Sequence, residues 1–197
     1  MKRLVLHVGS GGNRILGQRG FDADSWQEQR LDSNPAVGPD IVCSMVQMVP
    51  VADASVDAIY CAHSLEHLAW HDAQAALKEF HRVLKPSGFA IVLCPDMQAV
   101  ADLVVKDKLT DTAYKTGAGQ PITPMDMIWG WRLMLAQGAD YMAHRCGYTL
   151  AVLMDCCRDA GFRGVRGERR NLTCSVLASV DSVDDETMAA LVARHLG

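Results

Sequence analysis

Leu4-Val5-Leu6-His7-Val8-Gly9-Ser10-Gly11-Gly12-Asn13 is the stretch whose reading decides the fold. The apolar, β-rich run from Leu4 to Val8 has charge in front of it and glycine behind, and reads as a buried parallel strand. It enters a turn whose glycines admit positive φ and carry no Cβ to obstruct a ligand. The carboxyl end of such a strand is where an open α/β sheet takes its nucleotide-like ligand. Further on, Arg30-Leu31-Asp32 sets a carboxylate where a second strand would end. A separation of roughly twenty residues suits an acid that accepts hydrogen bonds from a ribose diol. Glycine turn and acid together indicate a nucleotide or nucleoside site.

The turn itself narrows the ligand. In Gly9-Ser10-Gly11-Gly12-Asn13-Arg14, the last place of a dinucleotide fingerprint holds Arg14, where close packing of helix on strand needs a small residue. A nicotinamide or flavin dinucleotide is therefore disfavoured. No G-x-x-x-x-G-K-[ST] run exists, so a P-loop is excluded. A ligand with a ribose and an adenine but no pyrophosphate remains, and S-adenosylmethionine fits that description.

Four blocks carry a family resemblance. Leu6-His7-Val8-Gly9-Ser10-Gly11-Gly12-Asn13 resembles the L-D-V-G-C-G-x-G motif of the class I S-adenosylmethionine-dependent methyltransferases. Val51 to Tyr60 resembles that family's approach to its fourth strand. Ala62-His63-Ser64-Leu65-Glu66-His67-Leu68 is close to an H-x-L-E-H run, and Glu79 to Phe89 is close to E-x-x-R-V-L-K-P-G-G. The blocks span about residues 3 to 96 in family order. A later block, Tyr141 to Thr149, resembles an M-A-H-R/K-x-G-F/Y-T run of small bacterial methyltransferase-domain proteins of the type 11 kind. The resemblance implies a Rossmann-like, doubly wound, mostly parallel seven-stranded sheet with a C-terminal antiparallel hairpin. It also implies methyl transfer from S-adenosylmethionine, which needs no metal in principle, and no metal site is expected.

Composition is consistent with this reading. With 197 residues, 49% of them hydrophobic, one domain of ordinary size can bury a proper core. A net charge of −4 leaves no electrostatic footprint for nucleic acid. No apolar run is long enough to span a membrane, and no signal-peptide core precedes the first strand. Seven cysteines form no C-x-x-C pair and read as reduced, mostly buried thiols, so a cytoplasmic location is expected.

Taken in order, Asn13 to Ser25 holds Gly17, Gly20 and Asp22 and shows poor helical periodicity, so a loop is expected where the family runs a helix. Strands are expected near Gln29–Asp32, Asp40–Cys43, Ala58–Cys61 and Phe89–Cys94. A helix is expected from His71-Asp72 to Leu84, and another behind a cap at Asp96. The whole chain, 1–197, reads as one domain with an insertion at about 106–147. Within it, Thr116–Pro124 reads as a loop and Met125–Gln137 as one broadly apolar helix. The insertion is either a lid over a small-molecule acceptor or a homodimer face. A helix from Thr149 or Leu150 to Ala160, a hairpin of Gly164–Arg169 with Asn171–Ser179, and a last helix capped at Ser182-Val183-Asp184-Asp185 complete the chain.

Cofactor contacts are expected from His7, Gly9, Ser10, Gly11, Arg14 and Asp32, from Met45 and Val46 around the adenine, and from the backbone at Cys61 and Ala62. Arg14 is a carboxylate partner or a solvated loop arginine; Met45 packs on the adenine or fills the core. His7 stands where the family carries an acid, which removes a negative charge beneath the glycine turn. His63 and His144 are the candidate general bases, with the alternative that His144 is held by backbone alone. Glu66 and His67 are expected to brace a helix start, and Arg145 to meet an anionic group. His71, His81 and His195 read as helix-surface residues. A second function is kept beside the enzyme: a cofactor-binding or protein-interaction module without catalysis.

Overall fold

The opening strand, β1 (Arg3–Val8), is buried from Val5 onward. In the structure, a computed structural model that describes residues 1–197, it lies between two parallel neighbours. Trp26–Asp32 forms β2, paired Arg3 to Trp26 through Val8 to Leu31, and Val56–Ala62 forms β4, paired Val5 to Ala58 through Val8 to Cys61. Beyond β2 lies the two-residue β3 (Ile41–Val42), and beyond β4 lies β5 (Leu84–Pro95). A terminal hairpin of β8 (Gly164–Arg170) and β9 (Thr173–Ser179) adds β9 antiparallel to β5, giving the order β3-β2-β1-β4-β5-β9-β8. The hairpin turns on Asn171 and Leu172, both at positive φ, the pairing whose twist matches two antiparallel strands. The expected seven-stranded fold class is the one found.

The two faces are covered unequally. On one, α1 (Trp70–Val83) buries Ala73, Ala76, Leu77, Phe80 and Val83, a helical stripe, and α5 (Leu150–Asp159) buries Leu153, Cys156 and Cys157. On the other, the segment between β1 and β2 is irregular, as its glycines foretell, and Ile15 and Phe21 from that loop plug the sheet. The closing helix α6 (Asp185–His195), capped by Asp184 on the Thr187 N–H, clamps this loop in place. His195 is 2% exposed, not on the surface as expected: its Nδ1 lies 2.6 Å from the Arg19 carbonyl, and its ring meets Phe21 and Phe89. Burial lowers its pKa. His81 is half-buried against Phe162, whereas His71 is exposed. All seven cysteines are free, and no helix is long and apolar enough to cross a membrane.

After α2 (Met97–Val105), capped by Asp96, the insertion departs from expectation twice. The expected loop, Thr116–Pro124, forms the turn and second strand of a small hairpin, β6 (Tyr114–Lys115) with β7 (Pro121–Ile122). The single expected helix is broken into α3 (Pro124–Trp129) and α4 (Arg132–Leu135) at Gly130. Gly130 has φ 101°, and a Cβ there would lie 2.2 Å from the Met142 carbonyl oxygen, so the break lets the returning strand of the insertion pack closely. Asp126 holds both pieces. Its Oδ2 accepts from the Thr123 N–H and hydroxyl, closing a capping box, and its Oδ1 accepts from the Arg132 backbone and Nε. Trp129 and Leu133 stay exposed.

These bonds hold the Asp126 carboxyl down at about 2 against the opposing effect of burial. A folded-state pKa below the unfolded value stabilises above the unfolded pKa and is lost as pH falls through the folded one. Asp126→Asn is therefore expected to cost the insertion about 1.5–3 kcal/mol near neutrality. Hydrogen exchange of residues 123–135 should show this loss, and the difference from wild type should shrink between about pH 4 and pH 2.

Candidate cofactor and acceptor site

The sheet order reverses between β1 and β4, and a cavity of about 980 Å³ opens at the carboxyl ends of the strands there. The glycine turn forms its floor. Gly9 and Ser10 both donate N–H to the Leu31 carbonyl, which fastens the turn to β2. Gly9 has φ 63°, and a Cβ on it would lie 2.4 Å from Ser64 Oγ, which itself donates to the Gly9 carbonyl at 3.1 Å. Only glycine lets the turn after β1 meet the turn after β4 this closely. At Gly11 a Cβ would meet nothing: that side faces open space. Its N–H donates to Asp32 Oδ2 at 2.8 Å, while Oδ1 accepts from the Asn34 N–H, so the acid is braced on the cavity wall with lone pairs to spare.

His7 is explained by a residue that the sequence did not single out. Glu28, on β2, has a wholly buried side chain whose Oε1 lies 2.9 Å from His7 Nδ1 and accepts the Ile15 N–H at 2.9 Å. Burial lowers the His7 pKa, which leaves the ring neutral at pH 7 with Nδ1–H as donor to the carboxylate. The negative charge missing from position 7 is thus supplied one strand away. Parallel pairing sets Val5 opposite Glu28 and His7 opposite Arg30, so the two side chains share a face. Arg14, largely exposed and lining the cavity, reaches Glu28 only at 3.9 Å.

The block Glu79–Leu84 works at a distance. Glu79 accepts the Met48 N–H at 2.6 Å, and Arg82 donates to the carbonyls of Met48 and Val51. This pins the loop after β3 that brings Met45 to the cavity. Val46 does not line the cavity, and its N–H is already spent on Ser44 Oγ at 3.2 Å. Ala62 does line it, whereas Cys61 is fully buried behind it, where burial pushes its thiol above the ordinary range.

His63 and His144 are not equivalent. His63 follows β4, is about half exposed, lines the cavity and has φ 51°, an unusual conformation for a non-glycine residue. His144 does not line the cavity: its Nδ1 faces the Met127 carbonyl at 2.8 Å, and its ring meets His67 edge-on at 4.9 Å. Burial lowers its pKa. Glu66 and His67 do not cap α1, whose N-cap is Ala69; they form a short 3-10 turn with Leu65. Burial pushes the Glu66 carboxyl up, and the attraction of His63 and His67 outweighs it, leaving the group below the ordinary range. The insertion returns to this turn: Arg145 and Cys146 donate N–H to the Glu66 carbonyl. Tyr141, Met142 and Arg145 thereby border the cavity.

The Glu28 arrangement yields a coupling that can be measured. His7→Asp sets two carboxylates side by side and should destabilise the chain by about 2–3 kcal/mol in denaturant melts. In the double variant with Glu28→Gln, most of that loss should return. Additive effects of the two substitutions would show that Glu28 does not stand in for an acid at position 7.

Comparison with known proteins agrees with the geometry. A family model described as a methyltransferase domain matches residues 19–92. Over 47 residues, 24% of this chain and 22% of the relative, the sequence is 43% identical to the uncharacterised protein YafE of Escherichia coli. An O-methyltransferase family protein from Burkholderia thailandensis superposes with a TM-score of 0.59 at 12% identity, covering 92% of this chain and 52% of that one. The 1,6-didemethyltoxoflavin-N1-methyltransferase of the same organism has a structure with 1,6-didemethyltoxoflavin and S-adenosylhomocysteine bound. It gives 0.54 at 15% identity, covering 91% of this chain and 72% of that one. The chain thus spans about half the length of the O-methyltransferase family protein and a smaller share of YafE. The chain thus has the fold of the S-adenosylmethionine-dependent methyltransferases, and its residues 19–92 match a methyltransferase domain.

Proposed function

We propose that the chain transfers a methyl group from S-adenosylmethionine to a small-molecule acceptor. One observation carries the reading: the Asp32 carboxylate, braced by the Gly11 N–H, stands on a cavity wall at the point where strand order reverses. An acid in that position accepts from a ribose diol. The open side of Gly11 leaves room for a ligand, and Met45 offers a polarizable thioether beside it. His7, Ser10 and Arg14 complete the floor beneath the cofactor's amino-acid end, and Ala62 borders the methyl-bearing centre, with Cys61 buried behind it. A cavity of about 980 Å³ has space for cofactor and acceptor together.

When bound, the cofactor would supply an electrophilic methyl on a sulfonium, open to in-line attack by an acceptor lone pair with the thioether S-adenosylhomocysteine as leaving group. The chain's part is to hold the acceptor at near-attack distance and to take its proton. His63, on the cavity wall at the end of β4, takes that proton at a ring nitrogen. Tyr141, Met142 and Arg145 close the acceptor side, which supports the lid reading of the insertion, with Arg145 available to an anionic acceptor. His144 contributes by positioning, since it stands behind the wall. Seven free thiols fit a reducing, cytoplasmic location. The second reading, a binding module without transfer, draws on the exposed Trp129 and Leu133, which could meet a second copy of the chain.

Calorimetric titration with S-adenosylmethionine and S-adenosylhomocysteine tests the site. Micromolar binding of both is expected, with NAD inert. Asp32→Ala should weaken binding by about one to two orders of magnitude, the worth of a charge-assisted hydrogen bond. His63→Ala should keep binding and lower transfer to a screened acceptor by roughly 10²–10⁴-fold. A folded wild type that binds neither ligand overturns the proposal, and binding without transfer to any acceptor selects the module.

A further inference from the structure

Behind the acceptor side of the cavity, Glu66 is 1% exposed, and neither of its carboxylate oxygens has a hydrogen-bond partner. Buried carboxylates are as a rule hydrogen-bonded, ion-paired or bound to metal. His63 Nδ1 lies 3.6 Å from Oε1, too far for a hydrogen bond. Two further imidazoles converge on the same place, and one ligating atom from each of Glu66, His67 and His144 lies within 4.8 Å of the others. Around a tetrahedral zinc the corresponding separation is roughly 3.3 Å, given zinc–nitrogen and zinc–oxygen bonds near 2 Å. Small rotamer changes of the three side chains close that difference.

The tautomers point the same way. Nδ1 of His67 faces the Ala143 carbonyl at 3.3 Å, and Nδ1 of His144 faces the Met127 carbonyl at 2.8 Å. A carbonyl only accepts, so each ring carries its proton on Nδ1 and, when neutral, a lone pair on Nε2. Metal-ligating histidines are oriented in this way, by donation of the other ring N–H to a backbone carbonyl.

We propose that Glu66, His67 and His144 form a binding site for a divalent first-row transition metal, of which zinc is the type. Two imidazoles and one carboxylate suit such an ion, and three protein ligands leave at least one position open. His67 lines the cavity, so the site adjoins the acceptor space. Glu66 and His67 belong to the turn after β4, and His144 to the insertion. The ion therefore ties the insertion to the sheet at the place where Tyr141, Met142 and Arg145 border the cavity. No metal was expected from the sequence, where residue 144 stands far from 66 and 67.

The test uses the full chain, stripped with a chelator and kept reduced. Zinc titration should give one equivalent bound and a rise in thermal midpoint with zinc concentration. Cobalt substitution should give visible d–d bands without thiolate charge transfer, since no cysteine belongs to the set. His67→Ala and His144→Gln should each weaken zinc by more than the roughly 10–100-fold that loss of an outer-shell partner costs. Cys146→Ser should leave zinc affinity unchanged. A folded wild type that takes up no zinc, a thiolate charge-transfer band, or zinc affinity retained in both histidine variants overturns the proposal. Titration of the same variants with S-adenosylmethionine separates this outcome from any failure of the cofactor site.

Discussion

A carboxylate taken out of water must be met by donors, or its burial costs several kcal/mol. Glu28 meets that constraint through one oxygen, Oε1, while its Oε2 is buried with no hydrogen-bond partner. Its Oε1 joins the His7 ring on β1 to the Ile15 N–H in the following loop. Strand, turn and loop are thereby tied to one buried charge. The turn that leaves this anchor carries Gly9 against Ser64 and Gly11 against Asp32, so the cavity floor inherits its position from the pair beneath it. An acid on β1 would bring the charge directly; a neutral imidazole bridging to β2 brings it from the neighbouring strand.

The same carboxylate anchors the irregular segment between β1 and β2 through the Ile15 N–H. A loop rich in glycine cannot bury an amphipathic stripe, so it covers the sheet with individual plugs, Ile15 and Phe21, and needs clamping from outside. The clamp is α6, through the His195 contact with Arg19 and the Arg194 pair with Asp22 at 3.1 Å. The two ends of the chain thus share one apolar layer, and the turn at Gly9 rests on it.

The other side of the cavity follows different logic. There the Glu66 carbonyl accepts two N–H groups from the insertion, and Gly130 lets the insertion fold back on itself against Met142. Residues that read in sequence as a helix brace and a lid histidine become neighbours. Asp126 carries the local burden, since its bonds to Thr123 and Arg132 define both short helices. This wall of the cavity is therefore built from loops and half-turns on a rigid sheet, the usual arrangement when shape must differ between relatives of one fold.

Local pattern, read together with the family motifs, determined the strands β1, β4 and β5, the helix α1, the irregular segment after the glycine turn and the terminal hairpin. Each of these rests on short-range periodicity or on turn chemistry that the residues carry with them. Asp32 and the glycine turn were legible for the same reason, because both belong to one strand–turn–strand unit. Tertiary structure decided the rest. Whether Glu28 replaces an acid at position 7 depends on strand register, which no single strand encodes. Whether Met125–Gln137 runs as one helix depends on the approach of Met142 to Gly130, a clash invisible along the chain. His195 is buried and the Val46 N–H is taken by Ser44 for a like reason: a side chain's exposure and an N–H group's partner are fixed by what packs against them. The convergence of Glu66, His67 and His144 likewise exists only once the insertion is folded back on β4.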